Sequence, residues 1–330
     1  MKLEERTIST ITGTILVHNI NYASGRKAIS KGIVLTKKHV AVLGELGYKK
    51  VMVAIFDDDD IQEDEAALQI AKALQTKFVV LKKGVGGRVD FETTVDGLLE
   101  IHAQRLLTLN MLPGITLATR PHYSLVGPKQ KNVQLASLKI IPYAIKGDVL
   151  KEALNLAKAE GGIINVRAIP KHKRVNLLLI GNKGVQPQLQ ADFVPPISAR
   201  LEPLEATLDK IEAVTIDQKT ISKTVKQLMV NTDLLLIAGQ TSIMDEDDII
   251  PTALKGVGAK DVVHGAPVEP GNLLTLAYLP QVAVLCLPGC ARSLEANVID
   301  LVLPRLLLGD RLTKVDIAGW GLGGLLKGRS

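Results

Sequence analysis

The chain has 330 residues, 46% apolar and 22% charged, a balance that fits a globular protein of two or three domains and excludes a disordered one. Aromatic residues make up only 3%, too few for stacking platforms on single-stranded nucleic acid. The net charge of +6 is dispersed in short groupings such as Lys129–Lys131 and Lys171–Arg174, which favours a phosphorylated small molecule over nucleic acid or membrane.

Two cysteines exclude a disulfide framework, and no His/Cys/carboxylate grouping has metal-ligand spacing. His18, His39, His102, His122 and His172 are scattered singly. The N-terminus is charged, and no run approaches the about eighteen apolar residues of a membrane span, so a cytoplasmic protein is expected.

In chain order, Gly13–Ile20 and Lys31–Leu35 predict strands around a turn at Ala23–Arg26. Thr36 caps a helix from Lys37 to Leu46 that Gly47 ends, and Val51–Ile55 is a buried strand. Asp57–Asp60 reads as a solvated turn whose acids sit at the start of the helix Gln62–Gln75. Phe78–Leu81 is a strand. Gly84–Gly87 is a hairpin turn rather than a phosphate loop, because no Lys-Ser or Lys-Thr pair follows it. Strands at Leu98–Ile101, Ile115–Thr119, Ala136–Pro142 and Ile163–Val166 surround a short helix from Ala103 and an amphipathic helix over Gly147–Lys158.

The pattern changes near Pro170–Arg174. Residues 1–170 form a mixed α/β region, with a possible division into 1–76 and 77–170, and residues 171–330 alternate strands with helices. That alternation predicts an α/β domain with an open, doubly wound, three-layer sheet. Its expected elements are strands at Val175–Ile180, Ala213–Ile216, Asp233–Ile237, Asp261–His264, Leu273–Leu279 and Val282–Cys286. Helices are expected at Pro195–Asp209, Gln218–Met229, from Asp247 or Asp248 to Gly256 or Gly258, and Ser293–Leu307. The tail Asp316–Leu326 is glycine-rich and apolar, which predicts that it packs on the domain.

Two strand-end loops carry the chemistry. Ala238–Asp245 holds Gly239, Gln240, Thr241 and Ser242, which offer small residues, hydroxyls and free backbone amides to an anion; Leu287–Ser293 holds Pro288, Gly289, Arg292 and Ser293. Arg292 can pair bidentately with phosphate, and the Pro270-Gly271-Asn272 turn can cover one side of the crevice. Asp245 suits a divalent cation or an attacking group, or else merely caps the next helix, which is the role assigned to Asp247. Cys286 is a core residue, and Cys290 is either a small filler or a thiol near the ligand.

The motifs Ala238–Pro251, His264–Asn272 and Leu287–Ser293 resemble the molybdopterin-binding domain of molybdenum-cofactor biosynthesis proteins, over about residues 173–308. In that family a Thr/Ser loop bearing a functional aspartate, a Pro-Gly turn and a Leu-Pro-Gly loop form the pterin site. The resemblance therefore implies Asp245 as catalytic residue, positioning magnesium or the metal oxyanion. It implies molybdopterin, or its nucleotide form, held by Gly239–Ser242, Pro270–Asn272, Pro288–Gly289, Arg292 and Ser293. Lys31–Leu35 through Val53 is similar to the segment preceding this domain in molybdopterin molybdotransferases.

Several positions depart from the molybdotransferase pattern. Glu269 and Asn272 stand where lysines flank the turn, Gln240 replaces a glycine, and Cys290-Ala291 replaces Asn-Pro. The acid after the first strand has Asp192 as its nearest counterpart. The resemblance implies a molybdopterin-binding protein of cofactor biosynthesis, maturation or delivery, with molybdotransferase-like activity and self-association. Its alternatives are a metal-dependent nucleotide pyrophosphatase of the competence-damage-inducible type and a non-catalytic chaperone that docks on a molybdoenzyme.

Overall fold

The computed structural model describes residues 1–128 and 133–326, so the basic grouping Lys129–Lys131 lies outside the described residues. The chain divides into two compact units, Met1–Ala168 and Ile169–Ser330.

In the first unit, Lys50–Ile55 runs antiparallel between Lys2–Thr7 and Ile15–Leu16. Gly13–Ile20 does not form one strand, and Lys31–Leu35 adds only a bridge from Val34 to Ile15. The backbone there bonds one group at a time, Gly32 N to Leu16 O (2.7 Å) and Leu35 N to Thr14 O (2.8 Å), without a continuous ladder. Thr36 starts the helix Lys37–Glu45 through a capping box with His39.

The acidic run is not the start of the next helix. A short strand, Asp60–Gln62, intervenes, and the helix Glu63–Leu74 carries its own first-turn acids Glu63, Asp64 and Glu65. The Asp57, Asp59 and Asp60 carboxylates instead gather around Lys146 Nζ at 2.8, 2.8 and 3.0 Å. Gly84–Gly87 turns a hairpin between Val79–Lys83 and Arg88–Thr93 in a four-stranded antiparallel sheet. The helices Glu63–Leu74 and Gly147–Lys158 bury Ala66, Ile70, Leu150 and Ala153 in the same core as Val89, Phe91 and Leu138 of that sheet.

In the second unit we number the strands β1 (Lys173–Ile180), β2 (Ala206–Val214), β3 (Leu234–Gly239), β4 (Lys260–His264), β5 (Thr275–Tyr278) and β6 (Ala283–Leu287). The helices are α1 (Gln186–Leu201), α2 (Gln218–Leu228), α3 (Ile249–Gly256), α4 (Val298–Leu307) and α5 (Lys314–Gly319). One six-stranded sheet has the order β2-β1-β3-β6-β5-β4, parallel from β2 to β6 and antiparallel at both β5 pairings. Its central strands are buried on both faces, as the runs Leu177–Ile180 and Leu234–Ala238 require. One core combines Leu178, Leu235, Ile237 and Val284 of the sheet with Ile221 and Val225 of α2 and Ala253 and Leu254 of α3.

Two helices differ from expectation. The helix expected over Pro195–Asp209 is α1, nine residues earlier at its start. Leu189, Phe193, Ile197 and Leu201 form its buried stripe, and Pro195 and Pro196 lie inside it. Proline at a helix start is the common case, but here the stripe continues through it. Glu205, at φ 49°, ends the following 3₁₀ turn, so Leu208 belongs to β2. The helix expected from Ser293 starts at Val298, because Asn297 rather than Ser293 is its cap.

Candidate functional site at the C-terminal sheet edge

The register Leu178–Ile237–Cys286–Thr275–His264 runs straight across β1, β3, β6, β5 and β4. Because β1, β3 and β6 are parallel, the loops that follow them leave one edge of the sheet. The strand β4 reverses twice through β5 relative to β6 and so ends at that edge too. The loops Gly181–Gly184, Gln240–Asp248, Gly265–Asn272 and Pro288–Ser293 therefore lie at that edge, together with the short turn that follows the parallel strand β2. In open α/β sheets this is the edge where ligands bind.

Gln240 ties the first two loops together. Its backbone N–H donates to Ile180 O (2.7 Å) and its side-chain Oε1 accepts from Asn182 N (3.0 Å). That contact gives the glutamine, which departs from the family glycine, a structural role. The second and fourth loops also meet: a Cβ on Gly289 would stand 3.7 Å from Ser242 Oγ. Thr241 and Gly289 are exposed beside half-buried Ser242 and Gly239, while Pro288 is buried.

The Pro-Gly turn is seated on the start of α4. Pro270 O accepts from Val298 N (3.0 Å), and Gly271, at φ 130°, lies so close that any Cβ would overlap the Val298 side chain. Only glycine fits both constraints. Asn272 closes the loop through its carbonyl, which accepts from Ala266 N (3.0 Å), and its side chain is exposed.

Asp245 is exposed, and its Oδ1 accepts from Asp247 N (2.8 Å). Asp248 occupies the N-cap position of α3, yet its carboxylate turns back to accept from Met244 N (2.6 Å) and Asp245 N (3.2 Å). Asp248 thus shapes the loop that presents Asp245. Asp247, expected as a cap, makes no side-chain cap bond and instead lies 3.4 Å from Lys255 Nζ. Among the described residues, three-carboxylate clustering occurs only at Asp57, Asp59 and Asp60, so Asp245 stands outside any such group.

The last loop is organised differently from a helix N-terminus. Gly289–Arg292 is a single 3₁₀ turn, and Ser293 Oγ accepts from Glu295 N (3.0 Å). Ser293 therefore presents no free amides of α4. Arg292 leans on α1, its guanidinium carbon 4.9 Å from the Phe193 ring centre and Nη1 3.9 Å from Asp192 Oδ2. The buried side chain of Asn297 holds loop and helix together. Its Oδ1 accepts from Ile299 N (3.0 Å), and its Nδ2 donates to Cys290 O (3.2 Å) and Glu295 O (2.9 Å). Arg200 of α1 braces the same corner through Asp300 Oδ1 (2.9 Å) and Glu295 O (2.9 Å).

Burial raises both thiols, Cys286 to about 12 and Cys290 in the same direction, which suits packing rather than nucleophilic roles. Two residues of the edge escaped the sequence reading of the site, exposed Asn182 and Lys183 in the loop after β1. The signal was present: that loop follows a buried strand as the other two do. A hollow of about 700 Å³ lined by Ser198, Leu201, Glu205 and Thr207 lies at the start of β2, the opposite sheet edge.

The fold defines the C-terminal unit as an open α/β domain with its strand-end loops gathered at one end of the sheet. Residues 176–307 match the family described as "Probable molybdopterin binding domain". No curated protein matches the chain. Among solved structures, a molybdenum cofactor biosynthesis protein from Pyrococcus furiosus is 12% identical with a TM-score of 0.25, covering 96% of this chain and 65% of its own. The chain thus spans about two thirds of that protein's length. The molybdopterin biosynthesis enzyme MoaB from Thermus thermophilus is 20% identical (TM-score 0.33), covering 42% of this chain and 98% of its own. The protein CinA from Thermoplasma acidophilum is 13% identical (TM-score 0.33), covering 41% and 98%. Among the described residues no helix is long and apolar enough to cross a membrane.

Proposed function

We propose that the C-terminal unit binds molybdopterin or its nucleotide form, in the biosynthesis, maturation or delivery of the molybdenum cofactor. The observation that supports this reading is the close approach of Gly289 to Ser242, which brings the loops after β3 and β6 side by side at the carboxyl end of the sheet in a domain matching the molybdopterin-binding family. The hydroxyls of Thr241 and Ser242 and the cation of Lys183 are donors suited to the phosphate of a pterin. The Pro270–Asn272 turn bounds the crevice, and Arg292 and Ser293 shape its far loop.

Asp245 is the residue assigned to catalysis. Held by Asp248, it would position a magnesium ion or the metal oxyanion at the crevice mouth. Calorimetry with molybdopterin and its adenylylated and cytidylylated forms tests the reading, and binding of none of the three would overturn it. An Asp245→Ala chain is expected to keep cofactor affinity within about threefold while losing molybdate transfer. Unchanged transfer would remove Asp245 from catalysis. Turnover of an ADP-ribose-type substrate with a divalent ion would instead favour the pyrophosphatase reading. A stable complex with a molybdoenzyme, formed without turnover, would favour the chaperone. Self-association belongs to the same proposal and is read by light scattering.

A further inference from the structure

The glycine-rich tail Trp320–Leu326 closes back onto a ligand loop. Glu269 N donates to Gly324 O (2.8 Å) and Leu326 N to Glu269 O (2.8 Å), forming a parallel bridge beside the Pro-Gly turn. Gly324 is buried, and a Cβ there would overlap the Pro267 carbonyl oxygen and stand 2.8 Å from Trp320 O. Leu326 is buried, whereas Leu322 is 98% exposed.

The other end of the tail is anchored on α4. Thr313 caps α5 through Asp316 N, and Asp316 Oδ1 lies 3.4 Å from Nη2 of Arg305 in α4. The loop Gly265–Asn272 is therefore held on two sides, by α4 through Val298 at Pro270 and Gly271, and by the tail at Pro267 and Glu269.

We propose that Trp320–Leu326 is a positioning strap that fixes the Gly265–Asn272 loop in its binding geometry and so sets ligand affinity without touching the ligand. This rests on the reading that the sheet edge binds molybdopterin. A loop held on one side only samples more orientations, and ligand binding must then order it, which lowers affinity. Fixed ligand loops depend on such supporting contacts.

The test compares the 330-residue wild-type chain with Gly324→Val, which forces the strap off Pro267, and Leu322→Ser, which alters the tail without touching the loop. Amide hydrogen exchange of the 265–272 segment is expected to rise about tenfold in Gly324→Val and to stay unchanged in Leu322→Ser, with β3 and β6 protected in both. Molybdopterin affinity by calorimetry is expected to fall about tenfold in Gly324→Val only. Unchanged exchange in Gly324→Val, or faster exchange with unchanged affinity, overturns the strap. Loss of protection throughout the unit also overturns it, because the tail would then belong to the core; a chain ending at Gly319 provides the same comparison without a new side chain. If the wild type binds no molybdopterin, the functional reading fails, and exchange alone then judges whether the tail positions the loop.

Discussion

Asn297 is one buried amide serving two elements. Its oxygen caps α4, and its nitrogen holds Cys290 O and Glu295 O of the loop before it. Asn297→Ala strips the cap from Ile299 N and one of two donors from each carbonyl, Cys290 O keeping Ser293 N and Glu295 O keeping Arg200; it is expected to cost about 1–2 kcal/mol, read as a lower urea midpoint at constant slope. Asn297→Asp keeps the cap and loses the two donors, so an intermediate midpoint is expected. Asp248 shows a similar economy near Asp245, where one carboxylate receives two loop amides instead of capping its helix. Sequence alone identified both aspartates and gave Asp247 the wrong task, because capping propensity does not encode which amide a carboxylate meets.

At the scale of elements, the Asp57–Asp60 turn and the strand carrying Lys146 form one electrostatic unit. The hydrogen bond and charge of Lys146, and next those of the Met1 ammonium 3.0 Å away, lower Asp57 to about 2 from its usual 3.8. A lowered carboxyl stabilises the fold fully above its ordinary value and loses that contribution as pH falls through about 2. Lys146→Gln is expected to return the Asp57 carboxyl toward 3.8 in a carbon-detected NMR titration. It should also reduce the loss of stability between about pH 4 and 2. An unmoved Asp57 would refute the coupling.

Elements set by local pattern are legible in the sequence. Gly147–Lys158 and the Gly84–Gly87 hairpin are instances, since each rests on contacts local in sequence. The helix α1 was misplaced because two prolines read as a start rather than an interior. The onset of α4 was misplaced because its cap depends on partners in another loop. The position of Gln240, Thr241, Ser242 and Gly289 just after buried strands was legible from the apolar runs that precede them. The seating of Gly271 on Val298 and the strap at Gly324 were invisible, being contacts between segments distant in sequence.

At the scale of the whole molecule, the second unit contains its own sheet and buried core. Residues 169–330 expressed alone are expected to unfold in one cooperative transition and to bind molybdopterin within about threefold of the full chain. Multiphasic melting or lost affinity would show that the unit is incomplete.

The outer strands of its sheet have a different consequence. The strand β2 is an edge over nine residues, a length that would template pairing with another chain. It carries Asp209, Lys210 and Glu212, and the opposite edge β4 carries Lys260 and Asp261. Charges set along both borders disfavour growth by added strands. Assembly of copies through these borders is thereby disfavoured, and with it the cross-β route of aggregation.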